Sequence, residues 1–187
     1  MKNVAKHSLL WIILVLPYLA FIPAYRYHKK TISENENTQI VIIIKEEFKL
    51  YVYDFDGNIL MKSYIALGKN FGDKQKVGDM KTPEGIFKVE SIESSSDWTH
   101  DFKDDSLGVI EGVYGPFFIR LTVPGQKGIG IHGTHDPNSL GTRVSEGCIR
   151  MANDELINLI SQIRVGTLVI ITPSQDDVRI NSKTKIK

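Results

Sequence analysis

The distribution of apolar and polar positions divides the chain into four stretches. Ser8 to Tyr25, SLLWIILVLPYLAFIPAY, runs about 18 residues without a charge, just enough to cross roughly 30 Å of hydrocarbon as a helix. It is apolar on every face rather than along one stripe, which argues against a helix of a soluble core. Pro17 and Pro23 weaken a helix but are tolerated in membranes. Ala20 and Ala24 are wrongly spaced for an A-x-A-like cleavage site. Residues 1–30 are therefore predicted to be an uncleaved signal anchor with a transmembrane helix, secretion after signal cleavage being the alternative. Basic residues flank the span on both sides (Lys2 and Lys6, then Arg26, Lys29 and Lys30), so charge does not orient it. Thr31 to Gln39 is polar and aperiodic, and reads as a linker over residues 31–39.

From Ile40 the pattern becomes that of strands. Ile40 to Ile44 and Phe48 to Gly68 are rich in β-branched and aromatic residues, with Asp56-Gly57 as a hairpin turn between alternating runs. Lys81 to Ile92, Gly115 to Val123, Gly128 to Gly133 and Thr167 to Thr172 add further strands. Tyr51, Tyr53, Phe55 and Tyr64 fall at strand spacing and read as core or cross-strand packing. Glu93 to Tyr114 is polar and poorly periodic, and reads as a long loop. One soluble helix is predicted over Asp154 to Ile163, where Leu156, Leu159, Ile160 and Ile163 recur at helical spacing, with Asn153 as N-cap and Arg164 and Gly166 closing it. The expectation is a folded domain over residues 40–173, followed by a polar C-terminal tail, residues 174–187, frayed in solution.

Composition changes this picture little. At 187 residues and 42% hydrophobic, the chain suits one domain plus an extra element. Net charge is +1, so no whole-protein field favours nucleic acid, and none is expected as a partner. The single cysteine cannot form an internal disulfide and does not report the compartment. Gly128, Gly130 and Gly133 lack dinucleotide-binding spacing.

That cysteine, Cys148, stands sixteen residues after His132 within IHGTHDPNSLGTRVSEGCIRM. An ordinary thiol is mostly protonated at neutral pH, so a catalytic cysteine needs a base or a positive field beside it. His132, ending a strand, is the candidate base. Gly147 would let substrate approach the backbone, and N–H groups of Gly147 and Cys148 are candidate oxyanion donors. Arg150 adds a cation that would lower the thiol pKa or hold a substrate carboxylate. Spacing alone leaves two readings open, a covalent acyl-transfer site or an inert buried thiol.

I-H-G-T at 131–134 and S-E-G-C-I-R-M at 145–151 closely resemble the active-site signature of the L,D-transpeptidase catalytic domain family, also called the YkuD domain. L-G at 67–68, T-P-E-G-I-F at 82–87 and G-P-F-F-I-R-L at 115–121 resemble its upstream segments, so the resemblance covers Ile40 to Thr172. It implies a mainly β fold, a β-sandwich-like mixed sheet, with one short helix after the cysteine. It also implies Cys148 as nucleophile, His132 as general base and acid, and Gly133 as the residue whose carbonyl orients the imidazole, with Ser145, Gly147 and Arg150 lining the pocket. The implied partners are peptidoglycan stem peptides: the thiolate attacks a stem-peptide carbonyl, expels the terminal residue, and an amine resolves the thioester into a crosslink. No cofactor and no metal is implied, and the catalytic domain is expected to be monomeric. That substrate would put the domain outside the cytoplasmic membrane. Many members have His where this chain has Glu146, which leaves the acceptor open: with water, the site would be a peptidoglycan carboxypeptidase or hydrolase. A noncatalytic wall-binding module would not need the thiol.

Other candidates are weaker. His132 and His135 form an H-x-x-H pair without an evident third metal ligand. Trp98, His100, Asp101, Asp104 and Asp105 read as a solvated loop with one anchoring aromatic, and a glycan or partner contact is the alternative.

Overall fold

The computed structural model describes residues 39–102 and 108–184. The predicted anchor at residues 1–30, the linker as far as Thr38, and Asp104 and Asp105 lie outside this range. Among the described residues, no helix is long and apolar enough to cross a membrane.

The strands are β1 (Ile40–Ile44), β2 (Lys49–Tyr53), β3 (Ile59–Gly68), β4 (Gly85–Ser94), β5 (Thr99–Asp101), β6 (Val109–Glu111), β7 (Phe117–Leu121), β8 (Gly130–His132), β9 (Arg143–Ser145), β10 (Ile149–Met151) and β11 (Leu168–Thr172). Among the described residues two α-helices accompany them, α1 (Asn153–Gln162) and α2 (Gln175–Thr184). The main sheet runs β10-β8-β7-β4-β11-β1-β2-β3-β9, and β10 also pairs with β3, so the ladder closes on itself. The fold is mainly β and the sheet mixed, as predicted. Closure comes from β3 and β4, which change partners midway. β3 pairs first with β2, then with β10 and β9, and β4 pairs first with β11, then with β7. Register shifts at Val52/Tyr53 and Val89/Ser91 supply the bends that such strands need.

Alternation builds the interior. In β1, Val41 and Ile43 are fully buried, paired in register with Val169 and Ile171 of β11, which are also buried. Leu156, Leu159 and Ile163 bring α1 into the same core. Each such side chain contributes about 1.5–3 kcal/mol by leaving water. The Asp56-Gly57 turn forms as predicted, with Gly57 at φ 86° and the backbone N–H of Asn58 donating to Asp54.

Several expectations are corrected. The segment from Glu93 to Tyr114 is not a plain loop: β4 continues to Ser94, and β5 and β6 pair as an antiparallel ribbon. Trp98 anchors it between Tyr114 and Phe118, at ring distances of 5.8 and 5.5 Å, a long-range contact with no local periodicity. β9 and β10 have three residues each, too few for alternation to reveal them. Of the four aromatics read as packing, Tyr51 is buried, but Phe55 and Tyr64 are exposed.

The tail from Ser174 is not frayed as far as Thr184, because α2 is docked through a buried carboxylate. Asp177 accepts from Ser174, the Gly72 N–H and Arg143, and pairs with Lys45 at 3.0 Å; Lys45 is itself fully buried and also pairs with Glu84 at 2.8 Å. Burial alone would raise the Asp177 carboxyl pKa, but the N–H of Gly72, Ser174 and the Lys45 ammonium outweigh it and hold it well below the usual carboxylate range. A polar sequence thus packs through charge rather than through an apolar stripe.

Candidate active site

β8 and β10 lie side by side and parallel, with Ile131 opposite Ile149 and His132 opposite Arg150. Side chains alternate along a strand. Ile131 and Ile149 enter the core, so His132, Arg150 and, two positions before Arg150, Cys148 share the other face. The sixteen-residue separation is thereby closed by one inter-strand step.

His132 is 3% exposed. Phe118, opposite it in β7, stacks on the imidazole at 5.5 Å and 11°, and Tyr114 meets it edge-on at 4.8 Å. Nδ1 lies 2.7 Å from the Gly133 carbonyl, which can only accept, so Nδ1 carries the proton and Nε2 keeps the lone pair. Burial lowers the His132 pKa to about 3, against the Gly133 bond that favours the charged form, with Arg150 lowering it further. Burial also pushes the Cys148 thiol up, opposed by the Gly130 N–H, Arg150 and Lys74. At neutral pH the resting pair is a thiol and a neutral imidazole. The partly exposed thiol donates to the Gly128 carbonyl at 3.3 Å.

Cys148 opens onto a cleft of about 510 Å³ lined by Lys74, Trp98, His100, Tyr114, Phe118, Arg120, Glu146 and others. A larger groove of about 740 Å³ shares Arg120, Lys127 and Gly128 with it but not the cysteine.

The remaining predicted residues take different places. Ser145 is buried, its hydroxyl donating to the Cys148 carbonyl at 2.5 Å and accepting from the Gly147 N–H at 3.1 Å. It staples the turn rather than lining the cleft. Gly147 is likewise buried, and its N–H, expected as an oxyanion donor, is taken by that serine. Glycine is required there because φ is +133° and a Cβ would stand 2.6 Å from the Lys81 carbonyl. Arg150 is also buried and does not line the cleft, its guanidinium is 5.0 Å from the centre of the Phe102 ring, and its Nε has no hydrogen-bond partner among the described residues.

Gly133 is boxed in: a Cβ would meet Asn153 Oδ1 at 2.1 Å and Gly115 Cα at 2.9 Å. Asn153 does not cap α1, whose N-cap is Ala152. Its Oδ1 instead accepts from the Thr134 N–H at 2.9 Å, fixing the turn that presents the Gly133 carbonyl. Sequence reading assigned this asparagine to the helix, and only the fold reveals its partner. Glu146 pairs with His100 of β5 at 3.3 Å, and His100 meets the Tyr114 hydroxyl at 3.2 Å, linking the ribbon to the aromatic wall of His132. His135 is exposed and stacks on Phe102, and among the described residues no three His, Cys, Asp or Glu side chains gather as a metal site.

A mainly β domain carrying His132 and Cys148 on one face of adjacent strands is the arrangement the L,D-transpeptidase signature implies. The chain belongs to the L,D-transpeptidase catalytic domain family, whose model matches residues 37–171. YkuD of Bacillus licheniformis is 44% identical over 120 residues, covering 64% of this chain and 58% of that protein, and YqjB of Bacillus subtilis is 38% identical over 114 residues, covering 58% and 64%. The chain thus spans roughly 60% of the length of these relatives. The catalytic domain of the Enterococcus faecium L,D-transpeptidase matches with a TM-score of 0.53 at 20% identity, over 73% of this chain and 98% of that one, and shares the fold. The helical cell shape determining protein Pgp2 of Campylobacter jejuni matches with a TM-score of 0.55 at 27% identity, over 75% and 49%.

Proposed function

We propose that the chain is a cysteine acyltransferase of peptidoglycan. The observation that carries this reading is the face shared by Cys148 and His132 at a cleft, with the imidazole held neutral and its Nε2 lone pair available. Nε2 accepts the thiol proton as sulfur attacks a stem-peptide carbonyl, so that the C–S bond forms and the carbonyl electrons move to oxygen. The intermediate collapses, the C–N bond breaks, and the His132 imidazolium returns its proton to the departing amine. An amine of a second stem then attacks the thioester, giving an L,D-crosslink and freeing Cys148. With water as acceptor the product is the trimmed stem. The same reading places the catalytic domain outside the cytoplasmic membrane, where that substrate lies, and takes residues 8–25, which lie outside the described range, as its proposed anchor.

Family membership and the fold shared with solved L,D-transpeptidases support the reading, including one in complex with imipenem and another as an avibactam carbamoyl enzyme. The test is intact mass of the full chain after incubation with imipenem. A single adduct, lost in Cys148→Ala, is expected; an adduct persisting on the alanine variant would remove the nucleophile assignment. Incubation with defined muropeptides then separates the acceptors, dimers reporting transpeptidation and shortened stems alone reporting hydrolysis.

A further inference from the structure

The acyl-transfer reading calls for more than one donor at the oxyanion. When sulfur adds to the carbonyl, a full negative charge develops on oxygen, and preorganised donors there are worth roughly 10²- to 10³-fold in rate. Of the two expected N–H donors at the nucleophile turn, that of Gly147 is spent on Ser145 Oγ, which leaves that of Cys148. Arg150, the cation of the signature, lies over the Phe102 ring and does not line the cleft.

A different cation lies beside the nucleophile turn. Lys74 lies in the connection between β3 and β4, its side chain only 4% exposed, and it lines the cleft together with Cys148. Its Nζ is 3.3 Å from where a Gly147 Cβ would stand, so the missing side chain of Gly147 is the space between this ammonium and the nucleophile turn. Asp79 holds it at 2.8 Å and is in turn fixed by the N–H groups of Gln75, Lys76 and Lys81 at 2.7, 3.0 and 3.2 Å. An ammonium has three protons, and Asp79 takes one. The other cations of the cleft wall differ: Arg120 is engaged by Glu93 at 3.0 Å and Lys127 is exposed. A nearly buried lysine–carboxylate pair is weak evidence of stabilisation, since desolvation offsets the attraction. A preorganised cation in a partly dry cleft is, by contrast, what a developing oxyanion requires.

We propose that Lys74, clamped by Asp79, is a catalytic residue that stabilises the oxyanion formed when Cys148 attacks its substrate, acting together with the Cys148 N–H. The inference rests on the acyl-transfer reading of Cys148. Lys74 keeps its proton throughout, so the step balances as written above. The Lys74 charge also acts against the burial that raises the Cys148 thiol, so the test must separate the two effects.

The experiment compares the full chain with Lys74→Gln, which keeps a donor for Asp79 without the charge, and Lys74→Arg, which keeps the charge. Acylation by imipenem and alkylation by iodoacetamide are both followed against pH. The expected result is roughly 10²-fold slower acylation in Lys74→Gln, persisting at alkaline pH where alkylation shows the thiol fully ionised, with partial recovery in Lys74→Arg. Acylation that returns to the wild-type rate once the thiol is ionised, or that equals it throughout, would overturn the proposal. Should Lys74→Gln melt early, Lys74→Gln with Asp79→Asn, which removes both charges, carries the same expectations. A wild-type chain that is alkylated at Cys148 but never acylated would overturn the acyl-transfer reading itself, and this inference with it.

Discussion

The imidazole of His132 donates from Nδ1 to the carbonyl of the residue that follows it, Gly133, at 2.7 Å. The bond selects the tautomer that leaves Nε2 as acceptor, and the apolar walls of Phe118 and Tyr114 keep the ring uncharged. Imidazole and thiol are therefore both neutral before reaction, and the proton moves during attack.

Acylation of Cys148 should accordingly be nearly independent of pH between roughly 5 and 8, without the inflection near 6.5 of an ordinary histidine. His132→Gln should slow it about 10²- to 10⁴-fold and make the rate rise with thiol ionisation. Stopped-flow acylation across pH checks both; an inflection near 6.5 in the wild type would mean that the ring is not held neutral.

The same burial gives a stability signature. The folded pKa of His132, about 3, lies below the unfolded value of 6.5, so below 6.5 the unfolded chain takes up a proton that the folded chain does not. The His132 contribution is complete above pH 6.5 and is lost progressively as pH falls toward 3. Urea unfolding at pH 7 and pH 5 should show the loss, and His132→Phe should reduce the difference.

Gly147→Ala should fail for a backbone reason. The new Cβ would meet the Lys81 carbonyl at 2.6 Å in a left-handed conformation. A cost of about 1–3 kcal/mol and a displaced Cys148 are expected. Thermal melting and imipenem acylation measured together report both.

Asn153→Ala removes the acceptor of the Thr134 N–H beside Gly133. An unmade bond of this kind costs about 1–3 kcal/mol. Acylation should slow while the alkylation profile of Cys148 keeps its midpoint, since the change acts on His132 orientation; a shifted thiol midpoint would argue against that route.

Asp177→Ala tests whether α2 belongs to the folded domain. It strips Lys45 of a carboxylate 3.0 Å away in a fully buried setting, and breaking such a pair costs about 3–5 kcal/mol. Denaturant unfolding should show a loss of that size, whereas Arg179→Ala, in an exposed pair of the same helix, should change stability by less than about 1 kcal/mol.

How much was legible in the sequence differs from residue to residue. Val41, Ile43, Val169 and Ile171 announce their strands by alternation, and Gly57 its turn, because these signals lie within a few neighbouring residues. Ser145, Gly147 and Arg150 were legible as parts of the signature but not in their roles. Ser145 staples a turn, Gly147 clears the Lys81 carbonyl, and Arg150 stacks on Phe102, all relations to atoms that the motif does not contain.

The sequence by itself determined the mainly β character of the domain, the helix after Cys148, and the place of one cysteine and one histidine in a recognisable family signature. Only the tertiary structure decided that the ladder closes, that Asn153 serves Gly133 rather than α1, that α2 docks through Asp177, and that Lys74 lies beside the nucleophile turn. The physical reason is range. Periodicity and turn chemistry are written in adjacent residues, whereas burial, strand register and charge pairing join residues far apart in the chain, and their consequences exist only once it has folded.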